Sequence, residues 1–539
     1  MGLNSLFDYV VALLMLFSRN WVGFALPLCF CLIQLTLREK AGPFWQWHLL
    51  DPSYFYLLDA LNLINGYTPG HMYHPGVTNQ LFGAIVITIF TLFSSISVTE
   101  AVLADPEFFL TRISDGLLLL NTLALTILGF TGRAMFGSWV PAVSCQLAPF
   151  MSTIILKHAF IPKPESLLVF GTSLMIALSL NSLRHVECNN RISAYFGGLA
   201  GFLLATKITA MPVLILPLFL IRHTKGVVVY VGVSLAAFTF FFLPSIGGLE
   251  TFMNWIFNVV VTTGPYNSGE LGVMAPGELW NGFLNILKRP SLLVPMLLTI
   301  IVLFLMCISH RRNHFFGSDE QWLIVGVSLA QLAQAILVAK QPTAFYMIPS
   351  YMLGAVSMTF CIRALYKMRP IRIKIPIKAE TAGAIILVIF LTTQVALSKK
   401  IDHQFAERRL QATYVDNNAF ASCARIYVYG ASALVYAMYL ANKVTGKRYS
   451  TELKAKFPSF DFWIDDWWIW EPVTLRNWDG ALKFSDVISK YPCVYARGTR
   501  LKTSSEIFNA TPYFKINSHC FAGAEKVVVM GTDCQGGQK

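Results

Sequence analysis

Apolar residues run along this chain in long windows. Those near 21–37, 77–97, 112–130, 137–156, 165–182, 192–206, 209–222, 226–246, 291–309, 321–338, 343–364 and 380–397 each approach the roughly 20 mainly apolar residues that a membrane-crossing helix needs. Residues 1–18 are also apolar, with Asp8 as an interruption. No small-residue cleavage site follows a charged segment there, so no removable signal peptide is read. Beyond residue 397 polar and apolar residues mix, and no window reaches membrane length. ARIYVYG (Ala424–Gly430) is followed by a helix-like run to Ala441, and a second such run precedes CVYAR (Cys493–Arg497). Strand-then-helix patterning of this kind predicts a small α/β domain.

Composition agrees with the windows. The 539 residues are 55% hydrophobic and 13% charged, with a mean hydropathy of +0.55, whereas soluble globular chains carry about 25% charged residues. A large water-soluble enzyme is excluded. So is intrinsic disorder, which needs few aromatics, because 41 Phe, 20 Tyr and 12 Trp are present. A net charge of +13 would suit nucleic acid, but the basic residues lie between apolar runs, where the positive-inside rule puts them.

Charge sets the topology. Arg363, Lys367, Arg369, Arg372, Lys374 and Lys378 fill one loop with no acidic residue, which reads as cytoplasmic. Counting spans backwards puts Arg311/Arg312, Arg222/Lys225, Arg184/Arg191 and Arg133 on the same side, and Glu165, Glu250, Glu270 and Glu278 on the other. Glu100, Asp105 and Glu107 are then external. If residues 38–76 are external too, segment 77–97 cannot cross, and it reads as a re-entrant or interface-lying hairpin sheltered by other helices. The alternative is that it crosses and that 38–76 are cytoplasmic. The expected architecture is an α-helical polytopic membrane protein over 1–397, with about 11 spanning helices plus the hairpin, and a small extracytoplasmic α/β domain over 398–539. Cys423, Cys493, Cys520 and Cys534 fall in that domain, where an oxidising compartment favours disulfides over free thiols. Their spacing matches no compact zinc pattern. The tract FWIDDWWIW (Phe462–Trp470) fits an interfacial surface, a sugar-stacking face or plain core packing.

Candidate chemistry gathers in the external loops, where ionisable groups at membrane depth are functional candidates. In WHLLDPSYFYLLDALNLINGYTPGHMYHPG (Trp47–Gly76), Asp51 precedes Pro52 and opens a helix-like stretch, so capping and catalysis both fit. Asp59 lies about two turns on, and either joins Asp51 or is solvated. His74 in YHPG is a metal or phosphate ligand or a turn residue. In KHAFIPKPESLL (Lys157–Leu168), Glu165 follows Pro164 at a helix start, where the dipole favours a carboxylate. Asp51 and Glu165 at one external face suit a divalent cation or a general base with a partner. Lys207 in TKITAMP, and Lys340 and Tyr346 in AKQPTAFYMIP, snorkel to the interface or complete a site for an anionic, membrane-embedded substrate such as a lipid phosphate.

The motifs in order are an acidic first external loop, HP before a hydrophobic hairpin, RIS (Arg112–Ser114), R-x-x-FG (Arg133–Gly137), an acidic second external loop, TK, and K…YMIP (Lys340–Pro349). This order resembles the GT-C class of integral-membrane glycosyltransferases, in the branch of protein O-mannosyltransferases and lipid A aminoarabinose transferases, over roughly residues 20–365. The resemblance implies a GT-C-like fold, an extracytoplasmic active site, a polyprenyl-phosphate sugar donor and inversion at the anomeric carbon. It implies catalytic roles for Asp51 and Glu165 and donor-phosphate contacts from Lys207, Lys340 and Tyr346; the residues themselves add His74 as a candidate phosphate contact and a divalent metal ion of unknown identity at Asp51 and Glu165. Two departures stand out: the common acidic pair of the first loop is here Asp51-Pro52, and Glu165 stands where related sequences often have Asp. The expected activity is transfer of a sugar to an extracytoplasmic glycan, lipid or protein acceptor, in a bacterial inner membrane, with membrane lipids but no nucleic acid as partners. Loop 247–290 is expected to act as a glycine-rich lid. Other classes remain: a transporter or flippase of a lipid-linked glycan, which an internal repeat would favour, a non-catalytic scaffold, and a polymerase or ligase working from a pyrophosphate carrier.

Overall fold

The structure is a computed structural model that describes residues 20–46, 53–73, 75–184, 189–264, 269–308, 318–368, 397, 399–406, 423–428, 430–457, 461–464, 475–483, 486–487, 490–498, 518–522 and 526–530. Asp51, His74, most of the 380–397 window and most of the aromatic tract after Ile464 lie outside them. The chain divides into two compact units. The first comprises Met1–Thr36, Met72–Leu81 and Ser114–Leu397; the second comprises Leu37–His71, Phe82–Ile113 and Ser398–Lys539.

Its helices are α1 (Val22–Ala41), α2 (Ser53–Ile64), α3 (Val77–Thr91), α4 (Val98–Ala104), α5 (Pro106–Phe136), α6 (Trp139–Gln146), α7 (Thr153–His158), α8 (Pro164–Ser182), α9 (Asn190–Thr206), α10 (Leu216–Leu220), α11 (Thr224–Phe242), α12 (Leu249–Val261), α13 (Pro276–Leu287), α14 (Pro290–Ile308), α15 (Asp319–Val338), α16 (Ile348–Met368), α17 (Leu434–Val444) and α18 (Ser450–Lys456). Among the described residues, seven helical stretches are long and apolar enough to cross a membrane: α1, α5, α8, α11 continued into α12, α14, α15, and Ala344–Lys367. The protein is a helical integral membrane protein; of the eleven spans expected, seven are formed among the described residues, and the 380–397 window lies almost wholly outside them.

Proline accounts for much of the shortfall. The window at 137–156 breaks into α6, a 3-10 turn at Ala148–Phe150 containing Pro149, and α7. The window at 209–222 becomes a 3-10 segment, Ile208–Ile215, with Pro212 inside it, followed by the five-residue α10. Proline removes a backbone donor and clashes with the preceding turn. Helix α9, at 17 residues, stops at Thr206. Helix α3 has 15 residues, also short of a span. The expected lid at 247–290 is mostly helix, in α12 and α13, because apolar residues at helical spacing flank a short glycine-bearing link.

In the first unit, α9 packs closely on α11. A Cβ on Gly197 would sit 2.7 Å from the Tyr230 carbonyl oxygen, and one on Gly201 would sit 2.5 Å from that of Ser234. Small residues four apart allow this backbone-to-backbone approach, as is common where helices pair in lipid.

The second unit holds a seven-stranded sheet in the order β4-β3-β2-β1-β5-β7-β6. Strands β1 (Ala424–Tyr427), β2 (Asp461–Ile464) and β5 (Val494–Gly498) are parallel; β1 and β5 fall on the two segments whose pattern reads as strand. β3 (Leu475–Asn477), β4 (Gly480–Leu482), β6 (Ser518–Ala522) and β7 (Lys526–Met530) add antiparallel edges. One face carries an apolar core of Ala424, Ile426, Val428, Phe462, Val494 and Ala496. A disulfide joins Cys423 to Cys493 just before β1 and β5. Phe462 and Trp463 are buried, and Trp463 stacks on Tyr439 at 3.8 Å between ring centres, so this start of the aromatic tract is core packing.

Candidate functional site

The site in the first unit is built at a turn between α7 and α8. Pro164 takes the first helical position of α8, where its missing N–H is no loss, and Lys163 before it is extended at φ −145°, ψ 160°. Hydroxyls fasten this turn: Ser114 donates to the Phe160 carbonyl at 2.6 Å, and Ser166 to that of Ala159 at 2.6 Å. Asn121 in turn donates to Ser166 at 3.1 Å. The chain therefore has little freedom where it presents Lys163 and Glu165.

Lys207 arrives from the end of α9 with an extended backbone at φ −163°, ψ 128°. It forms an antiparallel bridge with Pro75. Gly76 N–H donates to the Thr206 carbonyl at 3.2 Å, and Thr78 donates its hydroxyl to that of Thr206 at 2.8 Å. Pro75 and Gly76, at the end of the HP motif, thus meet the TK motif through main chain.

The Lys207 ammonium donates to Glu165 Oε1 at 2.5 Å, with both side chains almost fully enclosed. It lies 4.8 Å from the centre of the Tyr346 ring and 5.4 Å from that of Phe345, within cation–π range. Lys163 lies 5.8 Å from the same Phe345 ring, and the His158 ring is 5.2 Å from it. Tyr346 sits in a 3-10 turn, Ala344–Met347, whose carbonyl accepts from Gln334 at 2.6 Å. Lys163 is 2% exposed, Lys207 1% and Glu165 0%.

The charges do not balance. Two lysines face one carboxylate, and His158 adds nothing near neutrality, because burial, reinforced by Lys163 and Lys207, outweighs Glu165 and pushes its imidazole down to about 3. Among the described residues one positive charge is left over in an enclosed place. Among the described residues no carboxylate pairs with Lys163, and Glu165 Oε2 and His158 Nδ1 are buried without a hydrogen-bond partner. Desolvating an ion without a counter-ion costs several kcal/mol, so the arrangement is suited to receive an anion carrying acceptor oxygens.

Of the residues singled out from sequence, Glu165, Lys207 and Tyr346 come together. Lys340 is engaged elsewhere, donating to the carbonyls of Val259 and Thr262 at the C-terminal end of α12, where a cation complements the helix dipole. Asp51 and His74 lie outside the described residues. Lys163, His158 and Phe345 were not singled out, although Lys163 and His158 stand in the quoted KHAFIPKPESLL segment. Among the described residues no group of three or more His, Cys, Asp or Glu side chains converges; Glu165 gives one oxygen to an ammonium, and Asp51, the other expected metal ligand, lies outside the described residues.

Asp59 belongs to the second unit and is not solvated. It is fully buried, accepting from Gly70 N–H at 2.8 Å, His71 N–H at 2.9 Å and the Asn62 amide at 3.1 Å. Burial pushes its carboxyl up to about 6, against the opposing effect of these donors and of His71.

No protein-family model, curated protein or solved structure matches this chain.

Proposed function

We propose that this protein is an inverting, GT-C-like glycosyltransferase that moves a sugar from a polyprenyl-phosphate donor to an extracytoplasmic glycan, lipid or protein acceptor. The observation that supports it is the buried surplus of positive charge at Lys163, Lys207 and Glu165, walled by Phe345 and Tyr346. A phosphodiester carries about one negative charge at neutral pH, and its lipid tail suits a site among apolar helices.

In this reading the acceptor hydroxyl oxygen forms a bond to the anomeric carbon while the bond from that carbon to the phosphate oxygen breaks. The leaving phosphate keeps the electron pair, and Lys163 and Lys207 stabilise its growing charge, as enclosed, preoriented cations do effectively. Glu165 holds Lys207 in place rather than acting on the sugar. The hydroxyl proton passes to a carboxylate, for which the resemblance nominates Asp51. The loop charge pattern puts the site on the extracytoplasmic face, and the resemblance favours a bacterial inner membrane.

The test follows release of polyprenyl phosphate from a panel of polyprenyl-phosphate sugars by the purified, reconstituted protein, with envelope extract as acceptor. Wild type should release it and transfer the sugar, and Asp51→Asn should lose at least about a hundredfold, the usual scale of a general base. Donor that crosses the vesicle membrane without cleavage would replace this reading with a flippase.

A further inference from the structure

The second unit brings the external segment 53–71 and the C-terminal segment 434–456 into one fold, and the joints between them are unusually polar and close. Asn62, in the last turn of α2, is buried. Its amide donates to Asp59 and, at 2.9 Å, to the Thr445 carbonyl. Its own oxygen accepts from the Tyr449 hydroxyl at 2.9 Å, which in turn accepts from Asn65 at 3.2 Å. Tyr449 N–H donates to Asn442 Oδ1 at 3.0 Å, so the hydroxyl is offered from a fixed turn. At Gly70 a Cβ would lie 2.6 Å from both Thr445 Cα and the Val444 carbonyl oxygen, an approach only glycine permits. Arg448 adds a stack on Tyr67 at 4.3 Å, and Lys456 donates to the carbonyls of Leu103 and Ala104 at the end of α4.

We infer that the C-terminal segment is a clamp for the first external loop, with Tyr449 and Asn62 as positioning residues. Asp59 is the keystone on the loop side, joining α2 to the Gly70–His71 turn, and Asn62 links that carboxylate to the C-terminal turn. Helix α2 begins two residues after Asp51, so its orientation bears on the segment that the proposed transferase reading makes catalytic. That consequence rests on the proposed function, whereas the clamp itself does not.

The experiment uses the full-length protein with Tyr449→Phe, which deletes one hydroxyl, and Gly70→Ala, which forces the two backbones apart. Amide exchange is read across 53–71, and kcat and donor KM are measured for polyprenyl phosphate release. Both variants should speed exchange at Gly70 and His71, and kcat should fall about tenfold or more, the scale of a small misplacement. Donor KM should stay within about twofold, because the cationic site that binds phosphate uses other residues. Unchanged exchange across 53–71 in both variants would overturn the clamp. Faster exchange with unchanged kcat would overturn its positioning role. If the wild type turned over no donor, the transferase reading would fail, while the exchange data would still decide the clamp.

Discussion

Two buried carboxylates, Glu165 in the first unit and Asp59 in the second, are both cut off from water and solve that problem in opposite ways. Asp59 is surrounded by neutral donors, two main-chain N–H groups and an amide, and those donors all belong to elements it ties together. Glu165 is met by an ammonium at 2.5 Å, keeps one oxygen unpartnered among the described residues, and has a second lysine close by. The first arrangement is a joint. The second carries more charge than its own carboxylate neutralises, which is what a binding site for an anion requires.

The largest expected effect comes from unbalancing the second arrangement. Lys207→Gln strands the Glu165 carboxylate in a dry place, and removing one partner of a buried pair typically costs 3–5 kcal/mol. The variant should melt far below wild type in detergent, and Glu165→Gln added to Lys207→Gln should restore most of the loss. Failure of that restoration would show that the pair is not the cause. At the joint the effect is smaller. Asn62→Ala deprives Asp59 and the Thr445 carbonyl of a donor, and a buried group left unsatisfied costs about 1–3 kcal/mol. Thermal unfolding of the two variants side by side ranks the regions directly.

Acid should separate the two regions by sign. His158 ordinarily titrates near 6.5 and is held down to about 3, so the unfolded chain binds its proton first. The stability it confers at neutral pH is lost as pH falls from about 6.5 toward 3. Asp59 ordinarily titrates near 3.8 and is raised to about 6, so the folded chain binds its proton first. Its contribution is fully present below about 3.8 and is lost as pH rises through 6. Melting temperatures at pH 4.5 and 7 should therefore show a smaller acid loss for His158→Asn than for wild type, and a larger one for Asp59→Asn.

How much of this was legible in the sequence depends on the range of the interactions involved. The helical membrane class, the strand segments at 424–430 and 493–497 and a disulfide among the C-terminal cysteines are readable, because hydropathy, strand pattern and cysteine placement are local signals. Among the described windows two fall short of a span because hydropathy does not weigh proline: Pro149 and Pro212 sit inside apolar stretches that do not form one helix. Glu165, Lys207 and Tyr346, which the sequence marks by their places at span ends, come together in the fold. Lys163 is hard to read because a lysine beside Pro-Glu looks like a solvated loop residue, whereas the fold buries it against Phe345 from a distant segment. From the sequence Asp59 reads as either a partner of Asp51 or a solvated residue, since its partners Gly70, His71 and the amide of Asn62 are set by the fold. Lys340 fits the motif of the resemblance, while its ammonium closes the end of α12, a contact between distant segments that the motif does not show.

The most direct test of the central claim is Lys163→Gln against wild type and Lys163→Arg, with thermal unfolding and polyprenyl phosphate release measured on the same purified samples. Lys163 is the surplus cation, so its loss should leave the melting temperature unchanged or raised, while donor turnover falls about tenfold or more, as removal of one preorganised charge does, and Lys163→Arg retains a substantial part. A large drop in melting temperature with turnover per folded molecule unchanged would contradict the account, since it would make Lys163 a structural counter-ion and leave the first unit without a site for an anion.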